Sequence, residues 1–205
     1  MSDIIFDFDG TIADSLLAVI KVFEDLTTRP KRFTSEEIDA MKHLTLPEIA
    51  RDLKIKKWKI PILIFKGRRM MQHHLRSIQL HEGMEEALNN LHDKGHRLYI
   101  LSSNSEKNVS EYMRLHGLHD KFIGIYGGAS LFRKAPKLAR LMKKEKIDMK
   151  HAWYIGDEVR DIMAAKVLGI HSGSVTWGYN THQALSGKKP DALFDTTVEL
   201  TNYFK

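Results

Sequence analysis

Four short apolar runs, separated by helical patterns, punctuate this 205-residue chain. Ile4-Ile5-Phe6-Asp7-Phe8 runs into Asp9-Gly10-Thr11, and Leu98-Tyr99-Ile100-Leu101 into Ser102-Ser103-Asn104-Ser105. Phe122 to Tyr126 and Ala152 to Ile155 repeat the device, the latter running into Gly156-Asp157. Runs of this length, bounded by turn residues, read as strands buried on both faces. Between and after them, Met84 to Lys94, Glu106 to His116, Pro136 to Lys146 and Val159 to Leu168 carry helical spacing, and Gly95, Gly117 and Gly169 close three of these helices. Shorter strands are expected at Ser174–Thr176 and Leu193-Phe194, around a helix near Thr181 to Leu185. Strands alternating with helices predict an α/β fold: a Rossmann-like, mostly parallel sheet with helices on both faces.

The stretch after the first strand has another rhythm. Leu16, Leu17, Ile20, Phe23 and Leu26 recur at helical spacing. Thr34-x-x-Glu37 and Thr45-x-x-Glu48 have the form of capping boxes, and Pro61 suits the start of a long helix reaching about Ile78. No strand-like alternation interrupts these helices. The expected organisation is therefore a discontinuous α/β domain, residues 1–14 and 82–205, with an inserted helical cap domain over 15–81.

Composition removes several classes of chemistry. The chain has no cysteine, which excludes disulfides, thiolate-bound zinc, iron–sulfur clusters and a thiol nucleophile. No apolar run approaches the length that spans a bilayer, and the first residues lack the features of a secretory leader. A cytoplasmic protein with no membrane partner is expected. The net charge of +6 is concentrated: nine basic residues and one acid lie between Arg51 and Arg76. Such a block attracts anions or forms a solvated helix face. No zinc-finger spacing or RNA-binding aromatic signature accompanies it, so nucleic acid is not the expected partner.

Three expected strand ends carry polar residues that a core does not need. In open α/β sheets, ligands bind beyond the carboxyl ends of the strands. Asp7 and Asp9, two apart on an extended chain, point the same way. An ionised group closing so apolar a run costs several kcal/mol unless something compensates. Asp157 and Asp161, four apart, share one face of a helix N-terminus. Carboxylates gathered at strand ends form a hard oxygen-donor site, suited to Mg²⁺ rather than zinc.

Taken in order, these segments resemble the motifs of the haloacid dehalogenase superfamily, in its phosphoglycolate-phosphatase-like branch with a C1 helical cap. Asp7-Phe8-Asp9-Gly10-Thr11-Ile12-Ala13-Asp14-Ser15 is similar to the first motif, and Leu101-Ser102-Ser103-Asn104 to the second. Lys134, within Arg133-Lys134-Ala135-Pro136-Lys137, resembles the third-motif lysine, and Gly156-Asp157-Glu158-Val159-Arg160-Asp161 the fourth motif. Ala164-Ala165, Gly169 and Val175-Thr176-Trp177-Gly178-Tyr179 also resemble that branch.

The resemblance implies a phosphatase acting on a small phosphorylated metabolite, phosphoglycolate or a similar ester, through an aspartyl-phosphate. Asp7 would be the nucleophile and Asp9 the acid and base. Lys134 would bridge nucleophile and phosphate, with Lys137 as the competing assignment. Mg²⁺ would be held by Asp7, the Asp9 carbonyl and Asp157, with Asp161 and Glu158 behind them. Ser103 (or its neighbour Ser102), Asn104, Gly10 and Thr11 would meet substrate, and Arg68 and Arg69 from the cap would reach its anionic tail. The acid at position 9 argues against dehalogenation, because a departing halide needs no proton. A β-phosphoglucomutase-like phosphotransferase, a nucleic-acid-end phosphatase and a non-catalytic relict are the alternatives. The sequence does not specify an oligomeric state.

Overall fold

A computed structural model describes residues 1–27, 32–44, 46–129 and 134–205. In chain order, β1 (Asp3–Phe6) is followed by the short β2 (Ala13–Asp14) and by helices α1 (Leu16–Thr27), α2 (Ser35–Met41), α3 (Leu46–Asp52) and α4 (Ile60–His74). The chain then passes through β3 (Gln79–Leu80), α5 (Met84–Asp93), β4 (Arg97–Leu101), α6 (Glu106–Leu115), β5 (Phe122–Tyr126) and α7 (Ala135–Glu145). It ends with β6 (Ala152–Gly156), α8 (Val159–Leu168), β7 (His171–Val175), α9 (His182–Ser186), β8 (Ala192–Phe194) and α10 (Thr197–Tyr203).

Six strands form one parallel sheet in the order β5-β4-β1-β6-β7-β8. The chain builds outward from β1 on one side and then returns to build on the other. That reversal leaves a crevice beyond the carboxyl ends of β4, β1 and β6. β1, β4 and β6 are apolar on both faces because both are covered. Ile4, Phe6, Leu98, Ile100, Trp153 and Ile155 pack in one layer, with Met84, Leu88 and Leu91 of α5 and Val109, Tyr112 and Met113 of α6. Ile5, Tyr99, Leu101, Ala152 and Tyr154 point the other way, against Leu138 and Leu141 of α7 and Ala164 and Ala165 of α8. Successive residues alternate between the layers, as a pleated strand requires. Each large side chain so buried contributes roughly 1.5–3 kcal/mol.

The sequence reading and the fold part company in small elements. β2 and β3 pair antiparallel, Ala13 with Leu80 and Asp14 with Gln79, tying together the two chain crossings that bracket α1–α4. β7 starts at His171 rather than Ser174, and its Ser172 and Ser174 are fully buried. Ser172 is reconciled with burial by Asp191, which accepts from both its amide (2.8 Å) and its hydroxyl (2.7 Å). The long helix from Pro61 ends at His74 and gives way to a 3-10 turn, Leu75–Ser77. The Thr34 capping box forms: Thr34 Oγ1 accepts from the Glu37 amide at 3.2 Å, and Glu37 accepts from the Thr34 amide at 3.0 Å. Thr45 of the second box and Arg133 lie outside the described residues, as do the side chains of Phe23, Leu26, Met70, Met71, His73 and His74.

Among the described residues, the α1–α4 segment is hydrogen-bonded to the sheet domain from two sides. Arg68 of α4 donates through Nε to the Ser103 carbonyl (2.8 Å) and through Nη2 to the Ala129 carbonyl (3.3 Å). On the far side, Asn180 Nδ2 donates to the carbonyls of Lys42 (3.0 Å) and Leu44 (3.3 Å). No helix among the described residues is long and apolar enough to cross a membrane.

Candidate active site

The crevice gathers acids from three directions. Asp7 directly follows β1, and its amide continues the ladder to the Ile155 carbonyl at 2.8 Å. Asp157 follows β6, and Glu158 and Asp161 open α8. The Asp161 carboxylate accepts from the Glu158 amide at 3.2 Å, so this acid also caps the helix that presents it. Lys134 arrives from the start of α7, where Pro136 fits the first turn. Its ammonium is fully buried, bonded to Asp7 and 2.7 Å from Asp161. Lys137, the competing lysine, instead donates to the Gly127 carbonyl.

Five carboxylates (Asp7, Asp9, Asp157, Glu158 and Asp161) surround two side-chain cations, Lys134 and Arg160. Arg160 is bonded to Glu158, its Nε at 2.9 Å. The acids respond as buried anions must. Burial pushes the Asp7 carboxyl up to about 7, Lys134 pulling against that and Asp161 adding to it. Burial also raises Asp9, although the nearby Ser15 hydroxyl, the charge of Lys134 and the Asn104 amide group oppose it. Asp157 is raised well above the ordinary carboxylate value, by burial first and then by Glu158, Asp7 and Asp161.

That imbalance is the test of fit for a divalent cation, and the residues pass it. The donors are all oxygen, the set preferred by Mg²⁺. Asp7 Oδ1 is buried without a hydrogen-bond partner. Asp7, Glu158 and Asp161 each offer an oxygen within 4.8 Å of the others. That trio already meets Lys134 and Arg160, however. Asp157 is not one of that trio; among the described residues each of its oxygens accepts one bond, from Thr11 Oγ1 at 2.6 Å and from the Tyr179 amide at 2.7 Å. A carboxylate has about four lone-pair sites, so acceptor capacity is left over.

Several residues expected at substrate have other partners. Thr11 is fully buried behind Asp157, and its amide and that of Gly10 are engaged within the turn, with Phe8 and Ala13 carbonyls respectively. Gly10 shapes the site by lacking a side chain: its φ is +81°, and a Cβ there would lie 2.3 Å from Asp157 Oδ2. The Asn104 amide donates to Ser102 Oγ at 2.9 Å, while Asn104 Nδ2 reaches Asp9 at 3.4 Å. Ser102 is thus an internal turn residue, and Ser103 is the more exposed of the pair. Arg68 bridges to backbone carbonyls as described, and Arg69 is exposed.

Sequence reasoning gave no task to Tyr179, Asn180 and Arg160. Asn180 Oδ1 accepts from the Val159 amide at 2.9 Å, holding the start of α8. These residues lie far from the motif acids in sequence, or among residues that read as helix surface. Trp177 packs against the core, and its Nε1 donates to the Thr11 carbonyl at 3.0 Å.

Comparison with known proteins agrees with this architecture. Residues 4–175 match the family model of haloacid dehalogenase-like hydrolases. A phosphoglycolate phosphatase from Synechococcus elongatus is 32% identical over 205 residues, covering 98% of this chain and 95% of that protein. One from Vibrio vulnificus is 29% identical, covering 96% and 93%. A haloacid dehalogenase-like hydrolase from Streptococcus pneumoniae superposes with a TM-score of 0.82 at 22% identity, covering 100% of this chain and 99% of that one, and shares the fold. With its crevice of acids beside a buried lysine, the chain belongs to the haloacid dehalogenase-like hydrolases and is a phosphoric monoester hydrolase of that family.

Proposed function

We propose that the protein hydrolyses a small phosphate monoester, phosphoglycolate or a similarly short ester, in a Mg²⁺-dependent reaction through an aspartyl-phosphate on Asp7. The observation that carries this reading is the buried contact of Lys134 with Asp7 at the end of the central strand. A carboxylate approaching a phosphate dianion is repelled, so a nucleophile in this role needs fixed positive charge beside it. The names of the relatives from Synechococcus elongatus and Vibrio vulnificus support the choice of ester.

Asp7, the Asp9 carbonyl and Asp157 would hold Mg²⁺, which when bound neutralises charge on the phosphate oxygens. Asp7 attacks phosphorus as the bond to the ester oxygen breaks, and Asp9 gives its proton to that oxygen. Water then attacks phosphorus, Asp9 takes the water's proton, and the bond to Asp7 breaks. Alcohol and phosphate leave with Asp7 and Asp9 restored. Asp9 suits both steps because burial keeps its proton affinity above that of an ordinary carboxyl. Lys134 holds Asp7 in line, Asp161 holds Lys134, and Ser103 and Asn104 border the phosphate position. Residues 15–81 act as a cap that excludes water and selects the leaving group, with Arg68 fastening it and Arg69 at its exposed face. The setting proposed is the cytoplasm.

The test is phosphate release across a panel of short phosphorylated metabolites, in Mg²⁺ and in EDTA, with Asp7→Asn as control. Release from short esters in Mg²⁺ alone, abolished in Asp7→Asn, is expected. Undiminished release in EDTA, or from Asp7→Asn, would overturn the assignment.

A further inference from the structure

Asn108 lies in the first turn of α6, and its buried side chain faces two ways. Ser105 caps the helix, its Oγ accepting from the Asn108 amide at 3.1 Å. In a reciprocal cap the third helical residue reaches back to the amide of the capping residue. Here Asn104 takes that part: its Oδ1 accepts from the Ser105 amide at 2.8 Å. That leaves the Asn108 side chain to other partners. Its Nδ2 donates to the Arg68 carbonyl of α4 at 2.9 Å and to Asn104 Oδ1 at 3.0 Å. One nitrogen thus joins the main chain of the inserted helices to a side chain of the crevice.

These contacts decide which end of each carboxamide points where. The Arg68 carbonyl only accepts, so the Asn108 atom facing it is the nitrogen, and its two protons serve the two oxygens. The Ser105 amide only donates, so the Asn104 atom facing it is the oxygen. The Asn104 nitrogen therefore points the other way, into the crevice, where it lies 3.4 Å from Asp9 Oδ2. The Asn104 main chain is tied separately, its amide to Ser102 Oγ at 2.9 Å and its carbonyl to the Gly128 amide at 2.5 Å. Only the side chain remains to be set. Turned over, it would aim an oxygen at the place where an anionic phosphate has to sit.

We propose that Asn108 is a positioning residue: seated against α4, it turns the Asn104 carboxamide so that a donor, not an acceptor, meets the phosphate. The inference rests on the phosphatase reading above and adds to it a residue outside the motifs. It also makes the setting conditional on the inserted helices. When α4 moves away, the Asn108 nitrogen loses one of the two oxygens that hold it, and the Asn104 carboxamide loses its fixed direction. Linkage then runs both ways: the factor that the seat of α4 adds to phosphate affinity is the factor that phosphate adds to the seating of α4. A role in general packing makes no such demand.

The experiment measures inorganic phosphate binding by calorimetry in Mg²⁺, and amide exchange over residues 60–74 with and without saturating phosphate. Wild type, Asn108→Leu, Asn104→Ala and the double variant are compared, with thermal unfolding in parallel. Leucine keeps nearly the shape of asparagine and removes the donor. Expected is phosphate affinity about tenfold weaker in Asn108→Leu. Phosphate should slow α4 exchange about fivefold or more in wild type, and under about twofold in Asn108→Leu. The double variant should bind phosphate no more weakly than the worse single variant, because Asn108 acts through Asn104. Asn108→Ser serves should Asn108→Leu not fold, with the same outcomes expected. Phosphate affinity within about twofold of wild type, losses that multiply in the double variant, or no difference in slowing between wild type and variant overturns the role of Asn108. A wild type that neither binds phosphate nor releases it from short esters overturns the phosphatase reading instead.

Discussion

Replacing Lys134 by methionine keeps nearly the same length and removes only the charge. The ammonium is fully buried between Asp7 and Asp161, so the variant leaves two carboxylates facing each other without their cation. Breaking a buried ion pair from one side costs about 3–5 kcal/mol. For a chain of this size, each kcal/mol lowers Tm by roughly 2–4 °C, so a fall of roughly 6–20 °C is expected near pH 8. The loss must also depend on pH, with a sign set by Asp7. Burial pushes its carboxyl up to about 7 in the folded protein, from the ordinary 3.8. A raised acid favours the folded state at low pH, and that contribution fades as pH climbs from about 4 through 7. Below about 7 Asp7 is neutral in the folded protein and gains little from Lys134, so the variant's deficit should shrink at pH 5.5. Urea and thermal unfolding followed by circular dichroism, in EDTA at both pH values, give the comparison. A deficit under about 1 kcal/mol at pH 8, or the same deficit at both pH values, would refute the reasoning.

Two further perturbations probe the crevice walls. Gly10→Ala places a methyl group against Asp157 in a left-handed backbone conformation, and should cost about 1–3 kcal/mol in urea unfolding; stability within 0.5 kcal/mol of wild type would show that the turn has room to spare. Arg68→Ala removes the bonds from α4 to the Ser103 and Ala129 carbonyls, so amide exchange over residues 60–74 should quicken by roughly tenfold at little cost in Tm, and unchanged exchange would mean that other contacts hold the helix.

The sheet was legible wherever a strand's own residues are apolar and its end is polar. Ile4–Phe6, Leu98–Leu101 and Ala152–Ile155 all fall in the three inner strands that carry the acids and Ser103. β7 was harder, because His171, Ser172, Gly173 and Ser174 do not look like core; Ser172 is tolerated there through Asp191, nineteen residues away. The β2–β3 ribbon was invisible for another reason. Two residues carry no periodicity, and the pairing exists only because the chain returns to the same spot after the helices. Within the site, acids announced themselves by interrupting apolar runs, and Lys134 by standing before a proline-started helix. The amides of Gly10, Thr11 and Asn104 face inward to the protein, a choice made by turn geometry that residue identity does not reveal. Tyr179 and Asn180 act through a backbone amide and a carboxamide on a loop, neither of which leaves a pattern in the sequence.

The pairing of Ala13 with Leu80 means that the polypeptide leaves the sheet and comes back through the same doorway. A detour whose two ends are neighbours can grow, shrink or be exchanged without shifting any strand of the main sheet. Its departure point lies only four residues beyond Asp9, so any tilt of the detour pulls first on the loop that carries this acid. Rewriting the helices alone therefore leaves the sheet and its carboxylates where they are.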